Sequence, residues 1–418
     1  MRLWPSRSST VRGWWHLLAL ATVVDVEVRR RPNGQMLAGG LDWWIAIELG
    51  LSLVIGLQIL SRLAPPRLDS PIAVCVVGYC ASTAISAIYA PTPALAFARG
   101  GQILVLLAGT LELARQIADH GVAVVHRWLH GLIAVTTALV AIGVTERLVL
   151  PERRSARFSW LATHSVLAGA LVAICVVVTY GMWLARPTCD LPWRRSTYLS
   201  LLVVHSSALV LTRTRGSIAA AIAAIAVMSL WWVGARRHDL VVLAVIAAVG
   251  LGLTAAGPIV GYLMRSATAS ELSTLNNRTD VWRLAWQLIG ERPVMGHGLT
   301  ASRSAFIDDT GLGGAHNAYL NVLVDVGLVG FGWWALVIAL TATTVFARAR
   351  MHASLPPAAR NHGAGSFCLV TATGLLTCQL INALSAEWLG VGVGTSATVL
   401  FVTGLWVRTV TDPSASRS

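Results

Sequence analysis

The chain has 418 residues, 55% of them hydrophobic and only 12% charged, with a mean hydropathy of +0.66. One soluble core cannot hide that much apolar surface, so the composition excludes a soluble enzyme or binding module and indicates an integral membrane protein. The 32 basic residues, all arginine, outnumber 19 acidic ones for a net charge of +13. In short loops between spans such arginines set membrane orientation, so nucleic acid is not an expected partner.

Apolar stretches of roughly 20 residues, rich in Leu, Val, Ala and Gly and lacking strand alternation, predict transmembrane helices. In chain order they fall at about 13–28, 43–60, 71–90, 95–111, 128–145, 163–184, 197–212, 216–234, 239–263, 318–347, 365–385 and 387–408. The fold class expected is an all-α polytopic membrane protein of about twelve transmembrane helices. The basic start "MRLWPSRSS" leads into a first anchor rather than a cleavable signal, because no small-residue cleavage site follows. The tenth span is long enough to tilt or break.

Twelve spans place both termini on one side. The connections there hold Arg62, Arg67, Arg115, Arg127, Arg186, Arg194, Arg195, Arg236, Arg237, Arg348, Arg350 and Arg360, which marks that side as cytoplasmic. Arg29 to Arg31, and Arg147, Arg153, Arg154 and Arg157, lie on the opposite side and disagree with the rule. Three regions result: spans one to nine (1–263), an extracytoplasmic loop (264–317), and spans ten to twelve (318–418). Within the loop, Val281, Trp282, Ala285, Leu288 and Ile289 recur at helical spacing, with Asp280, Arg283 and Gln287 on the other face. That pattern predicts an amphipathic helix along the membrane surface, capped by Asn277 or Thr279 and ended by Gly290 and Pro293. The six cysteines form no CxxC pattern, and most lie in predicted spans, so they read as small core residues.

Three places carry chemistry. In "LTRTRGSIAA", Arg213, Arg215 and Gly216 precede a span on the outer side, where the free N–H groups and positive end of a helix share space with guanidinium groups and suit an anion. Arg278 stands at the start of the amphipathic helix, again a cation beside a helix N-terminus, an arrangement that holds phosphate oxygens. His316 and Asn317 stand behind Gly311, Gly313 and Gly314 at the entrance of the tenth span. A histidine at a span end is either an interfacial residue or a base of the kind suited to take a proton from a sugar hydroxyl, and Asn317 either caps the helix or orients substrate. His297, in "PVMGHG", is a candidate lining residue. Asp308 and Asp309 read as loop solvation rather than a cation site. Arg99, Glu48 and Glu387 lie within spans and call for a cavity or a partner. No Walker, HExxH, GxSxG or paired metal-carboxylate motif occurs, so no metal or cofactor is expected.

The order Arg-Gly before a span, then "ERPVMGHG", then "HNAYLNVLVDVGLVG" after a large external loop, resembles the O-antigen ligase and polymerase superfamily of bacterial polysaccharide glycosyltransferases. The resemblance covers about Thr212 to Gly330. It implies a GT-C-like fold in the plasma membrane and inverting, metal-independent glycosyl transfer at the extracytoplasmic face. The donor it implies is a glycan on undecaprenyl diphosphate, and the acceptor is a glycan or lipid hydroxyl. On this resemblance Arg215 and Arg278 hold the diphosphate and His316 activates the acceptor, while Arg213, Asn317, Arg283, His297 and Tyr319 are candidate substrate-binding residues. Relatives often carry Ser where this chain has Thr214. The segment "QLINALSAEWLG", with Asn382, Ser385 and Glu387, resembles the Asn-Thr/Ser-Glu segment of exopolysaccharide polymerases and tilts the reading slightly from ligase to polymerase. A secondary transporter is the competing class; it requires repeated halves with broken helices and ionisable groups near the bilayer midplane.

Overall fold

A computed structural model describes residues 43–60, 70–150, 157–160, 164–185, 191–233, 278–310, 314–353, 364–386 and 395–410. Among these residues the protein is all-helical, with no strand. The helices are α1 (Trp43–Leu60), α2 (Pro71–Ile85), α3 (Pro93–His120), α4 (Val122–Val149), α5 (Ser165–Ala185) and α6 (Arg195–Leu211). They continue with α7 (Arg215–Val233), α8 (Arg278–Glu291), α9 (Ala301–Thr310), α10 (Ala318–Ala353), α11 (Ala364–Ala383) and α12 (Thr395–Val410). Pro71–Tyr89, which is α2 and the turn after it, together with α3, α4, α5 and Ala318–Met351 of α10, are long and apolar enough to cross a membrane, and α6, α7, α11 and α12 contain shorter apolar helices. The architecture is that of a multi-pass membrane protein. The expected spans at 13–28 and 239–263, Cys189, the 264–277 stretch and the first part of the expected span at 387–408 lie outside the described residues; the described parts of the remaining expected spans each fall on a helix.

Local sequence explains the helix ends. Proline occupies the first turn of α2 and α3, where its missing N–H leaves no intrahelical bond unmade. Gly121, at φ 70°, closes α3 and opens α4. Asn317 caps α10: its Oδ1 accepts from the N–H groups of Tyr319 at 2.9 Å and Leu320 at 3.2 Å.

Helix α11 is the hub. It packs against α7, α5, α12 and α10, while α5 packs in turn against α6 and α7. A Cβ on Gly374 of α11 would come within 3.0 Å of Val177 on α5 and closer still to Met228 on α7, so this glycine is what lets the three backbones approach. Helices α4 and α6 run parallel, because two bonds share one offset: His130 Nε2 pairs with Tyr198 Oη at 2.7 Å, and Thr137 Oγ1 with His205 Nε2 at 3.1 Å, each 68 residues apart. These pairings satisfy polar groups that would otherwise be stranded in an apolar bundle.

Helix α8 confirms the amphipathic pattern and corrects its partner. Val281, Ala285 and Ile289 are buried with Phe306 of α9, Ala315 just before α10, and Leu320 and Val324 at its start, so the apolar stripe covers protein rather than lipid. Thr279 lies inside the helix instead of capping it. Helix α9 had no counterpart in the sequence expectations.

The tenth helix does break. Gly327 adopts φ 60° and ψ −164° inside α10. An unbroken helix would have Leu328 and Val329 donate to Val324 and Asp325. Instead they donate to Pro293 and Val294, at 2.8 and 3.1 Å, while the carbonyls of Val324 and Asp325 receive the N–H groups of His297 and Gly298, both at 2.8 Å. The 293–298 loop is thus threaded into the break, and these four backbone groups opened by the kink each find a partner.

Candidate functional site

Three helix starts meet at one end of the bundle, and the end of α11 joins them. At α7, Ser217 donates from Oγ to Asn382 Oδ1 at 3.1 Å, and a Cβ on Gly216 would lie 2.8 Å from Ser385 Cβ and overlap its hydroxyl. Glycine after Arg215 is therefore a packing requirement: only a bare backbone lets the start of α7 seat against Asn382 and Ser385. At α10, Tyr319 Oη donates to the Leu380 carbonyl at 3.3 Å, within one turn of Asn382. At α8, Trp282 Nε1 donates to the carbonyl of Ala315 at 2.9 Å. Trp282 follows Arg278 by four residues, about 6 Å of helix rise, so the start of α8 lies beside the turn that carries His316.

The turn before α7 is held from below. Arg157 donates from Nε to the Thr212 carbonyl at 3.1 Å and from a terminal nitrogen to Thr214 Oγ1 at 3.2 Å. Thr214 Oγ1 in turn donates to the Ser165 carbonyl at 3.0 Å, and the Phe158 N–H reaches Leu211 at 2.9 Å. Arg157, which disagreed with the orientation rule, is a clamp on this turn, and its position follows from that contact rather than from loop charge. Within the turn Arg213 takes φ 52°. Arg215 is half-buried, and its Nε is enclosed with no hydrogen bond among the described residues.

The His316 turn is equally constrained. Its backbone sits at φ 49°, left-handed, which costs a non-glycine residue roughly 1–3 kcal/mol and persists only where neighbours dictate it. They do: the Ala315 N–H donates to Asn321 Oδ1 at 2.9 Å, Trp282 holds the Ala315 carbonyl, and Asn317 caps α10. His316 itself is half-buried. Gly311 and Gly313 lie outside the described residues.

Not every candidate joins this cluster. Arg278 begins α8, but its side chain lies outside the description. Arg283 is exposed and bonded to Asp280 at 2.9 Å, one turn away on the solvent face. The His297 ring meets the Leu288 carbonyl at 2.8 Å, so His297 secures the end of α8 to the threaded loop. Tyr319 lies between α10 and α11, edge-on to Trp334. Arg99 is buried and donates to Gln102 Oε1 at 2.7 Å. Glu387 and the side chains of Glu48, Asp308 and Asp309 lie outside the described residues.

Sequence reading missed Asp325, which is 1% exposed and accepts from the Ser302 N–H at 2.7 Å, capping α9 from inside the broken helix. Its signal was available: an acid eight residues into an apolar span needs a partner.

Residues 199–335 match the family described as O-antigen ligase, which supports placing the chain in the O-antigen ligase superfamily. The match runs from α6 through the break in α10 and so contains the starts of α7, α8 and α10; α11 lies beyond it. No curated protein matches the chain.

Proposed function

From the O-antigen ligase domain at residues 199–335 we propose that the protein is an inverting, metal-independent membrane glycosyltransferase. Its donor is a glycan on a polyprenyl diphosphate, and its acceptor is a hydroxyl of a growing glycan or of a lipid, on the extracytoplasmic face. The observation that carries this reading is the junction at the end of α11, where Ser217 and Tyr319 bring the starts of α7 and α10 to one helix end. Arg215, with the N–H groups of α7, and Arg278, at the start of α8, hold the diphosphate. Charge-assisted hydrogen bonds of this kind strengthen as negative charge develops on the leaving group. His316 accepts the acceptor's hydroxyl proton as the oxygen bonds to the anomeric carbon. The bond from that carbon to the diphosphate breaks on the opposite face, its electron pair leaves with the lipid diphosphate, and configuration inverts. Arg213, Asn317 and Tyr319 line the approach, with Asn317 positioning the histidine through the cap of α10.

The segment from Asn382 to Ser385 abuts the start of α7, which favours a polymerase over a ligase. Purified protein supplied with a lipid-diphosphate-linked repeat unit distinguishes the two: a ladder of chain lengths is expected, a single transfer to a foreign acceptor identifies a ligase, and failure to consume the donor contradicts both.

A further inference from the structure

Gln379 lies in α11, 2% exposed, and neither its Nε2 nor its Oε1 has a hydrogen bond among the described residues. A primary amide carries two donors and an acceptor with two lone pairs, and burying it with none of them used is costly in any apolar interior. Leucine or methionine would fill the same volume at no such cost. The surroundings locate the group. On α11 its neighbours Leu375 and Cys378 belong to the core packed by α5 and α7, whereas Leu376 and Ala383 belong to the core packed by α2 and α10, so Gln379 stands on the seam between the two.

One turn further along, Asn382 is 3% exposed. Its Oδ1 is engaged by Ser217. Residues three apart share a helix face, so Gln379 and Asn382 stand on one side of α11, about 4.5 Å apart along the axis. This end of α11 meets the start of α7, through Ser217, and the start of α10, through the Tyr319 contact at Leu380.

We infer that Gln379 and Asn382 form a carbohydrate subsite: a neutral amide floor that hydrogen-bonds hydroxyls of the sugar being transferred. The inference rests on the glycosyl-transfer reading and deepens it by naming where the sugar is held. Hydroxyls both donate and accept, as an amide does, and an uncharged floor leaves the diphosphate to the arginines at the helix starts. A site built to bond a hydroxyl discriminates through the groups left unpaired when that hydroxyl is missing.

The test compares initial rates over a range of lipid-linked donor concentrations for the full-length protein, Gln379→Met and Thr371→Val in lipid nanodiscs. Thr371 is also buried with an unpartnered hydroxyl, on the same helix about two turns away, and faces Gly181 of α5. Gln379→Met is expected to raise KM for the donor about tenfold or more while its melting temperature stays level or rises. Thr371→Val is expected to match the wild type in KM. Should Gln379→Met fail to fold, Gln379→Leu gives the same readout. A wild-type KM in the folded Gln379 variant overturns the subsite, leaving a buried water or an empty defect as the occupant, and does not touch the glycosyl-transfer reading so long as the unmodified protein consumes donor. If the unmodified protein consumes none, both fall together.

Discussion

Single residues decide whether the junction at the end of α11 closes. Gly216 is flanked by two groups with opposite demands: Arg215 must reach outward, and Ser385 must come in. A methyl group at position 216 meets the Ser385 side chain, and overpacking of that kind typically costs about 1–3 kcal/mol. Gly216→Ala is therefore expected to lower the melting temperature and to reduce transfer by displacing Arg215. Ser385→Gly in the same chain is expected to restore part of both, giving a non-additive double-mutant cycle. Additive effects would show that the two residues do not touch. His316 presents the converse case. Its left-handed backbone suits glycine better than histidine, so His316→Gly removes the imidazole without straining the turn.

Among elements, the broken α10 and the threaded 293–298 loop form one device, and the motifs "PVMGHG" and "VGLVG" are its two halves. The sequence shows glycine clusters at both places and a span long enough to break, yet it cannot show that the clusters face each other, since pairing across some thirty residues leaves no local periodicity. Helix α9 was equally hidden: "ASRSAFIDDT" is short and mostly polar, and it is set by a cap from Asp325 that comes from another helix. Helix α8, by contrast, was legible because its apolar stripe repeats at helical spacing, although the stripe's partner was not. At Gly296, with φ 71°, a Cβ would come within 2.6 Å of the Asp325 carbonyl and the Gly327 nitrogen. Gly296→Ala is expected to cost about 2–4 kcal/mol, read as a lowered melting temperature, and to free the 293–298 loop to faster amide exchange. An unchanged exchange pattern would mean that the loop is held by side chains rather than by the backbone exchange with α10.

At the scale of the whole molecule, hydropathy made most spans legible, because a helix that must be apolar over some twenty residues announces itself in composition alone. What joins them at the site was less visible. Arg157 looked like a breach of the orientation rule until it proved to clamp the turn before α7. Gln379 was lost in an apolar run, since a lone amide carries no signal without its surroundings. The turn at 86–92 is bonded to the 295–300 segment, by Tyr89 Oη to Met295 at 2.7 Å and Thr92 to Thr300 at 3.0 Å, the 157–158 segment is bonded to the turn before α7, and Ser217 and Tyr319 bond the end of α11. Connections that the twelve-span reading places outside the cytoplasm thus gather on one face, and the proposed anion-binding and proton-accepting roles divide between helix starts there. The most direct measurement of that division is donor binding and single-turnover transfer, made in parallel on purified Arg215→Ala and His316→Gly proteins with a lipid-diphosphate-linked glycan. Arg215→Ala should lose donor affinity, and His316→Gly should bind donor like the wild type while transferring about 10²–10⁴-fold more slowly. Transfer at the wild-type rate by His316→Gly, or undiminished donor affinity in Arg215→Ala, would contradict the account.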